Sequence, residues 1–513
     1  MVTNWDKSIQ YFNIGGDFNM SMIQVRNLTF GYEGNVDNIF EDVSFNIDTD
    51  WKLGLIGRNG KGKTTFLNLL LGKYEFSGSI IKTVDVDYFP FEINNKKRMT
   101  LDIIEEIIPS VEDWKIIKEL NLLNTNPEIL YKDFSVLSGG EQVKVLLVSL
   151  FLKENNFLLI DEPTNHLDTE TKDNLAEYLK RKNGFIIVSH DRDFLDKVVD
   201  HIISINNSNI EIQKGNFSSW KENLDRQNNF ELTQNEKIQK DINRLEIASR
   251  NTANWSDKVE KTKYGTKNSG SKVDRGYIGH QAAKMMKKSK VMEKRIEKAI
   301  EEKFNLLKNI DRNDELVIKP LENNRKSLII ADKLQIKYND KAIFDKISFD
   351  INSGERVAIV GKNGIGKTSL LKLFLKENIE FNGTLKIIND IKISYVPQHT
   401  EELRGSLKEL ALKNNIEESI LKAMLSKMGF SKEDFNRKME NLSEGQKKKV
   451  LIAKSITENA NLYIWDEPLN YIDILTRIQI EEAILKYKPT IIFIEHDKTF
   501  VKNVATKIIN LKN

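Results

Sequence analysis

The sequence predicts an α/β chain in which one domain plan occurs twice, the two copies being joined by a long antiparallel α-helical hairpin. Three observations carry this. The same motifs recur in order at a nearly fixed offset: a glycine-rich loop opens at Gly57 and Gly361, an acidic pair at Asp161 and Asp466, and a histidine follows at His190 and His496, 304, 305 and 306 residues apart. Chance does not give that order and spacing, so the chain holds an internal duplication. Within each copy, short β-branched or apolar runs alternate with longer helical stretches, the pattern of a largely parallel sheet covered by helices. Between the copies the strands disappear and a polar helical repeat takes over.

At 513 residues the chain is long enough for about three domains, each with its own core. Hydrophobic residues make up 40% and charged residues 30%, an ordinary soluble composition. The longest apolar runs, such as Phe157 to Ile160 and Ile491 to Ile494, fall far short of the roughly 20 residues that cross a bilayer and read as buried strands. With no cysteine, a disulfide framework and thiolate metal sites are excluded. Nothing at the N-terminus has the pattern of a signal peptide, so a cytoplasmic location is expected, without a membrane partner. Residues 1–21 are set aside as a leader ahead of Met22. The expected divisions are then 22–214 for the first copy, 215–325 for the linker and 326–513 for the second copy.

In chain order, Lys52 to Ile56 and Arg356 to Val360 read as strands leading into the glycine-rich loops. Thr64 to Leu71 and Thr368 to Leu375 read as the helices that follow. In the linker, Ile238, Ile242 and Leu245 form one apolar stripe, and Met292, Ile296, Ile300, Phe304 and Leu307 form another on the return side, so two antiparallel helices bury them against each other. Gly265, Gly270, Gly276 and Gly279 break the helix between them into a loop. The net charge of +3 hides a local concentration. Lys237 to Lys298 hold 17 Lys and Arg against 7 Asp and Glu, a net of +10. At the tip, Lys261, Lys263, Lys267, Lys272, Arg275, Lys284, Lys287, Lys288 and Lys290 face one acid, Asp274. Such a density suits contact with RNA phosphates, although a charge run alone is also what a solvated helix face looks like.

The loops themselves are Gly57-Arg58-Asn59-Gly60-Lys61-Gly62-Lys63-Thr64 and Gly361-Lys362-Asn363-Gly364-Ile365-Gly366-Lys367-Thr368, followed by Thr65 and Ser369. Both match the phosphate-binding P-loop in full. Glycines let backbone N–H groups wrap the phosphates of ATP, the helix N-terminus adds partial positive charge, Lys63 or Lys367 reaches the terminal phosphates, and Thr64 or Thr368 ligates Mg2+. Phe157 to Glu162 and Leu462 to Glu467 are apolar strands ending in two acids. A strand ending in Asp-Glu is by itself an ordinary solvated strand end. Paired with a P-loop in each copy, Asp161 and Asp466 are the expected magnesium ligands, and Glu162 and Glu467 the expected orienters of the attacking water.

At this point the chain resembles the ABC ATPase superfamily. Leu137-Ser138-Gly139-Gly140-Glu141 is its signature motif, and the second copy reads Leu442-Ser443-Glu444-Gly445-Gln446. The resemblance implies two ABC-type P-loop ATPase domains closing head to tail, with the signature of one against the nucleotide held by the other. It also implies switch histidines at His190 and His496, D-loop acids at Asp168 and Asp473, and adenine-stacking aromatics at Tyr32 and Tyr338. Two departures fall in one composite site. Tyr395-Val396-Pro397-Gln398 keeps the glutamine expected to reach magnesium, whereas Tyr88-Phe89-Pro90-Phe91 does not; and Glu444 replaces a signature glycine. Site one is therefore expected to be the weaker, leaving Lys367, Gln398, Glu467 and Ser138 in a more regular site two.

Two fused ATPase domains with a long charged helical linker resemble the ABC-F family in particular. That resemblance covers Met22 to Asn513. It implies a monomer entering the exit site of the 70S ribosome, its linker contacting P-site tRNA and 23S rRNA near the peptidyl-transferase centre. The short interval from Phe66 to Val136, the long linker loop and the run Trp465-Asp466-Glu467-Pro468-Leu469-Asn470-Tyr471 most resemble members that protect ribosomes from lincosamides, pleuromutilins and streptogramin A. A housekeeping translation factor of the same family and the ATPase half of an exporter are the competing expectations.

Overall fold

The computed structural model describes residues 21–33, 38–109, 111–165, 167–206, 209–262, scattered positions within 280–298, and 315–322, 326–338, 341–362 and 364–512. Its chain divides into two compact units, residues 221–314 and the remainder.

In the larger unit the duplicated plan is explicit. The first copy builds a six-stranded sheet in the order Asp85–Phe89, Asn156–Asp161, Phe185–Val188, Lys52–Ile56, His201–Asn206, Asn209–Lys214. All its pairings are parallel except the last. The second copy builds the five-stranded parallel sheet Ile393–Val396, Leu462–Asp466, Ile491–Ile494, Arg356–Val360, Lys507–Asn510. Phe157 to Ile160 and Ile491 to Ile494 are buried throughout, as expected of strands covered on both faces.

Each copy also carries an antiparallel sheet that the expected largely parallel plan did not include, so the sheets are mixed. Met22–Phe30 pairs with Phe40–Asp48 and Ser77–Lys82, and Ser327–Tyr338 pairs with Ile347–Asn352 and Phe381–Ile387. Only one face of such a sheet meets the core. Ile23, Val25, Leu28 and Phe30 point in and pack with Phe66 and Leu70 of the helix Lys63–Leu70. That helix and its counterpart Lys367–Phe374 both start from a glycine with positive φ, Gly62 and Gly366. At Gly62 a Cβ would lie 2.6 Å from Ile39 Cγ2, so both backbone angle and space require glycine.

The smaller unit contains most of the 46-residue helix Phe217–Thr262, which spans about 70 Å at 1.5 Å per residue. The described positions between 280 and 298 are helical as well. Ile242 and Ile296 are buried, and Leu245, Val291, Met292 and Ile296 share one apolar groove. Met292 is nonetheless 55% exposed, so the second stripe is only partly covered there. Lys284, Lys287 and Lys290 are exposed. Ile300, Phe304 and Leu307, the loop with Lys263, Lys267, Lys272, Asp274 and Arg275, the residue Lys288 and the side chain of Lys261 lie outside the described residues. No helix among the described residues is long and apolar enough to cross a membrane.

Candidate active site

The parallel sheets explain why the motifs meet. In each copy the P-loop strand lies beside the strand that precedes the histidine, which lies beside the strand ending in the acidic pair. Parallel neighbours put all three C-terminal ends on one edge, where open α/β sheets bind ligands. The Thr64 hydroxyl thus lies 3.5 Å from Asp161 Oδ2, and His190 Nε2 lies 3.1 Å from Glu162 Oε1. In the second copy His496 Nε2 lies 3.4 Å from Glu467 Oε1. Glu162 and Glu467 both adopt positive φ, 50° and 45°. That backbone strain, repeated at the same place in both copies, is held by the surrounding structure and is typical of functional positions.

The lysines fold into their own loops. Lys63 Nζ donates to Gly57 O at 2.8 Å and Asn59 Oδ1 at 3.2 Å, and Lys367 Nζ to Gly361 O at 2.9 Å. Tyr32, 40% exposed, is anchored through its hydroxyl to Thr65 Oγ1 beside the P-loop, and its ring makes edge contacts with Phe30 and Tyr74. The side chain of Tyr338, and Asn363, lie outside the described residues.

Magnesium fits the second acidic strand end. Both oxygens of Asp466 are buried without a well-aligned hydrogen bond, beside the Thr368 hydroxyl, and burial raises its pKa. A bound cation would relieve that penalty. Among the described residues no three His, Cys, Asp or Glu side chains cluster as a self-sufficient metal site. At the first strand end, Asp161 Oδ2 instead accepts from the Tyr88 hydroxyl at 2.9 Å. Tyr88 and Tyr395 occupy equivalent registers, each paired two residues before the acid, so Phe91 and Gln398 follow at the same sequence offset from matching strand positions.

The two glutamates sit in opposite electrostatic settings. Burial, reinforced by the neighbouring Asp161 charge, pushes Glu162 up to about 8, and neither of its oxygens accepts a well-aligned hydrogen bond. Burial likewise drives His190 well below its ordinary value, aided by the positive charges of Lys63 and Arg477. Burial alone would raise Glu467 too. Hydrogen bonds from His496, Gln398 and Asn470 outweigh it and hold Glu467 down at about 2.

The interface between the copies is also unequal. At the first P-loop the head-to-tail arrangement is closed. Asn59 Nδ2 donates to Tyr471 O at 2.9 Å, Asn59 N to Asp473 Oδ2 at 3.4 Å, and Arg58 Nη1 to Lys427 O at 3.4 Å. Asp473 is fully buried and pairs with Lys449 at 2.7 Å; burial would raise it, but Lys449 and Lys63 hold it low. Gly445 lies against the same contact, since a Cβ there would stand 2.5 Å from Tyr471 O and 3.0 Å from Asn59 Nδ2. Ser443 and Ser138 are both engaged in capping boxes, with Gln446 and Glu141 at the third helical position. Glu444 turns to its own domain, where Thr400 and Lys447 donate to its carboxylate. Its charge is thereby partly neutralised within its own domain.

At the second P-loop, Lys367, Thr368, Ser369, Gln398, Glu467 and His496 face a cavity of about 540 Å³ whose far wall is Glu162, Asn165, Leu167, Lys172 and His190 of the first copy. Lys367, Gln398 and Glu467 come together as expected; Ser138 does not join them. Ser138 and Gly139 are exposed, no atom comes within 4 Å of a Cβ built on Gly139, and Asp168 is exposed where Asp473 is buried. The expected regular site two is thus the one whose signature stands apart.

Sequence reasoning missed several charged residues on this edge. Lys172 pairs with Asp191 at 3.1 Å, and Arg477 with Asp497 at 3.5 Å. The pairs recur at the same offsets of 305 and 306, so the duplication could have disclosed them.

Comparison with known proteins agrees with this geometry. The ABC transporter family model matches residues 40–165 and 344–470. The erythromycin resistance ATP-binding protein MsrA of Staphylococcus epidermidis is 30% identical over 475 residues, covering 89% of this chain and 91% of that protein. The ribosome protection protein VmlR of Bacillus subtilis is 27% identical over 494 residues, covering 94% and 85%. ABC transporter F family member 2 of Arabidopsis thaliana is 26% identical over 562 residues, covering 98% and 78%. Among solved structures, the archaeal ribosome recycling factor aABCE1, in complex with the archaeal ribosomal stalk protein aP1, matches with a TM-score of 0.59 at 19% identity, covering 95% of this chain and 87% of that one, a likeness of fold. With a P-loop and an acidic strand end assembled in each copy, the chain is an ATP hydrolase and belongs to the ABC-F family.

Proposed function

We propose that this ATPase works on the ribosome, entering the exit site with residues 215–325 as an antiparallel helical hairpin that reaches P-site tRNA and the 23S rRNA around the peptidyl-transferase centre. In doing so it relieves inhibition by lincosamides, pleuromutilins and streptogramin A. The observation that carries the reading is the net charge of +10 gathered on the segment with the long helix Phe217–Thr262, between two ATPase domains that are otherwise acidic in sum. Cations at that density neutralise phosphates and give nucleic-acid affinity independent of base sequence. MsrA and VmlR, named for erythromycin resistance and ribosome protection, align with nearly the whole chain.

ATP is held by Gly57 to Thr65 and Gly361 to Ser369, with Tyr32 and Tyr338 against the adenine, and the signatures Ser138 to Glu141 and Ser443 to Gln446 close from the opposite domain. Asp161, Asp466, Thr64, Thr368 and Gln398 would hold Mg2+, which when bound would neutralise phosphate charge. Glu162 and Glu467 orient the attacking water, and His190 and His496 fix those carboxylates. The domains are then 22–214, 215–325 and 326–513, in a cytoplasmic monomer.

The test uses Glu162→Gln combined with Glu467→Gln, which keeps the P-loop contacts while removing both water-orienting carboxylates. That variant should bind ATP, lose at least about 100-fold in turnover and co-sediment with 70S ribosomes. Shortening the loop between Gly270 and Gly276 should lower the inhibitory concentration of the three drug classes to that of the sensitive host while co-sedimentation persists. Co-purification with a membrane protein instead of ribosomes would overturn the reading. A growth defect without drug, together with no change in drug tolerance, would move it to a housekeeping translation factor.

A further inference from the structure

Directly after the two histidines, the loops His190-Asp191-Arg192 and His496-Asp497-Lys498 meet across the interface. Arg192 of the first copy sends Nη2 to Glu481 Oε2 of the second at 2.7 Å and stands 3.7 Å from Asp497 Oδ2. Asp497 also takes Arg477 of its own domain at 3.5 Å, while Arg477 Nε donates to Ile472 O at 2.9 Å, which ties it to the loop carrying Asp473. Asn503 donates to the second oxygen of Glu481 at 2.7 Å. Arg192, Glu481, Asp497 and Arg477 are each no more than 9% exposed. The reciprocal contact, Lys498 to Asp173 at 2.8 Å, is exposed and adds little by comparison.

Four buried charges are a poor way to stabilise an interface, because well-packed apolar side chains of the same volume do as well or better. What such a cluster does is fix one register between the surfaces that carry it. Here those surfaces are the loop after His190 on one side and, on the other, the loop after His496 together with the helix Ile474–Tyr487 that carries Arg477 and Glu481. Arg477 and His190 also border the same cavity as Glu162, Glu467 and His496, so the cluster stands between the two sites. Arg192 Nε is buried without a partner, leaving the guanidinium incompletely satisfied and free to redistribute between Glu481 and Asp497.

We propose that Arg192, with Glu481, Asp497 and Arg477, couples the two ATP sites by making the His190 and His496 loops move as one. These are positioning residues. The proposal rests on the assignment of Glu162 and Glu467 to water activation.

The experiment compares two backgrounds, the native protein and Arg192→Met combined with Glu481→Met, which keeps the bulk and removes the charges. In each, turnover is measured for the parent, Glu162→Gln and Glu467→Gln. Independent sites require the two single-variant rates to sum to the parent rate. In the native background the sum should fall short by about fivefold or more, the low end of ordinary coupling. In the double-methionine background it should return to within about twofold of its own parent, as non-interacting sites do. An equal shortfall in both backgrounds, or none in the native one, overturns the coupling. Unchanged turnover in both glutamine variants overturns instead the glutamate assignment beneath it. If the double-methionine protein does not fold, as judged by its melting curve, the isosteric Glu481→Gln takes its place; a reduced shortfall is then expected, and an undiminished one overturns the proposal.

Discussion

The first P-loop and the second share six of their eight residues in the same order, differing at Arg58 against Lys362 and Lys61 against Ile365, yet the opposite domain treats them very differently. Asn59 is clasped by Tyr471 and Asp473, and Gly445 seals the contact, whereas Lys367 and Thr368 look across a cavity of about 540 Å³ and the signature at Ser138 stays in solvent. The acids follow suit. Glu162, buried beside Asp161 without a well-aligned hydrogen bond, holds its proton up to about 8, and Glu467, which takes hydrogen bonds from His496, Gln398 and Asn470, is ionised down to about 2. Duplication therefore kept the chemical alphabet of both sites and let their surroundings diverge. Gln398 against Phe91 is one root of that divergence, because a glutamine amide can donate to a carboxylate and a phenyl ring cannot.

The sharpest way to break the comparison is at the signature glycines. A methyl group at Gly445 meets the Tyr471 carbonyl at 2.5 Å, a backbone atom that cannot swing aside, while at Gly140 it meets side-chain atoms alone, Thr171 Cγ2 at 3.3 Å and Leu167 Cδ2 at 3.5 Å. Overpacking of the first kind costs about 1–3 kcal/mol, so Gly445→Ala should weaken closure at the first P-loop by about tenfold and Gly140→Ala should leave that loop alone. Hydrogen exchange across residues 57–62 reads this directly. Faster exchange in both variants, or in neither, would show that the first site is not closed in the way the contacts indicate.

How much of this was legible in the sequence follows from what each feature depends on. The P-loops, the strands Lys52–Ile56 and Arg356–Val360 and the acidic strand ends are local patterns with strict spacing, and they appear where the spacing puts them. The antiparallel sheets are less legible, because their strands are half-buried and each central strand pairs both with its neighbour in sequence and with a strand beyond the P-loop helix. Glu444 stands at a signature-glycine position, and position alone leaves the direction of its side chain open. Its direction is decided by Thr400 and Lys447, one of them 44 residues away, which no motif reports. Arg192 escaped notice for the same reason, since its partner Glu481 is 289 residues distant.

A smaller effect sharpens the contrast between the two glutamates through pH. Glu162 has its folded pKa raised from 4.5 to about 8, so the folded state binds that proton more tightly than the unfolded chain and loses stability as pH rises through this window. Relative to the parent, Glu162→Gln should therefore gain a few degrees in Tm between pH 5 and pH 8.5. Glu467 has its folded pKa lowered from 4.5 to about 2, so its contribution is complete above about 4.5 and is lost only as pH falls toward 2. Glu467→Gln should then sit below the parent by a constant margin over the same range. Parallel curves for the two variants would contradict the opposite settings of the two carboxyls.

The most direct test of unequal sites compares ATP turnover in the two single variants under saturating ATP and magnesium. An ionised glutamate already aligned by His496 and Gln398 orients water better than one that keeps its proton, so Glu467→Gln should lose more turnover than Glu162→Gln. Equal losses, or a larger loss from Glu162→Gln, would contradict the asymmetry.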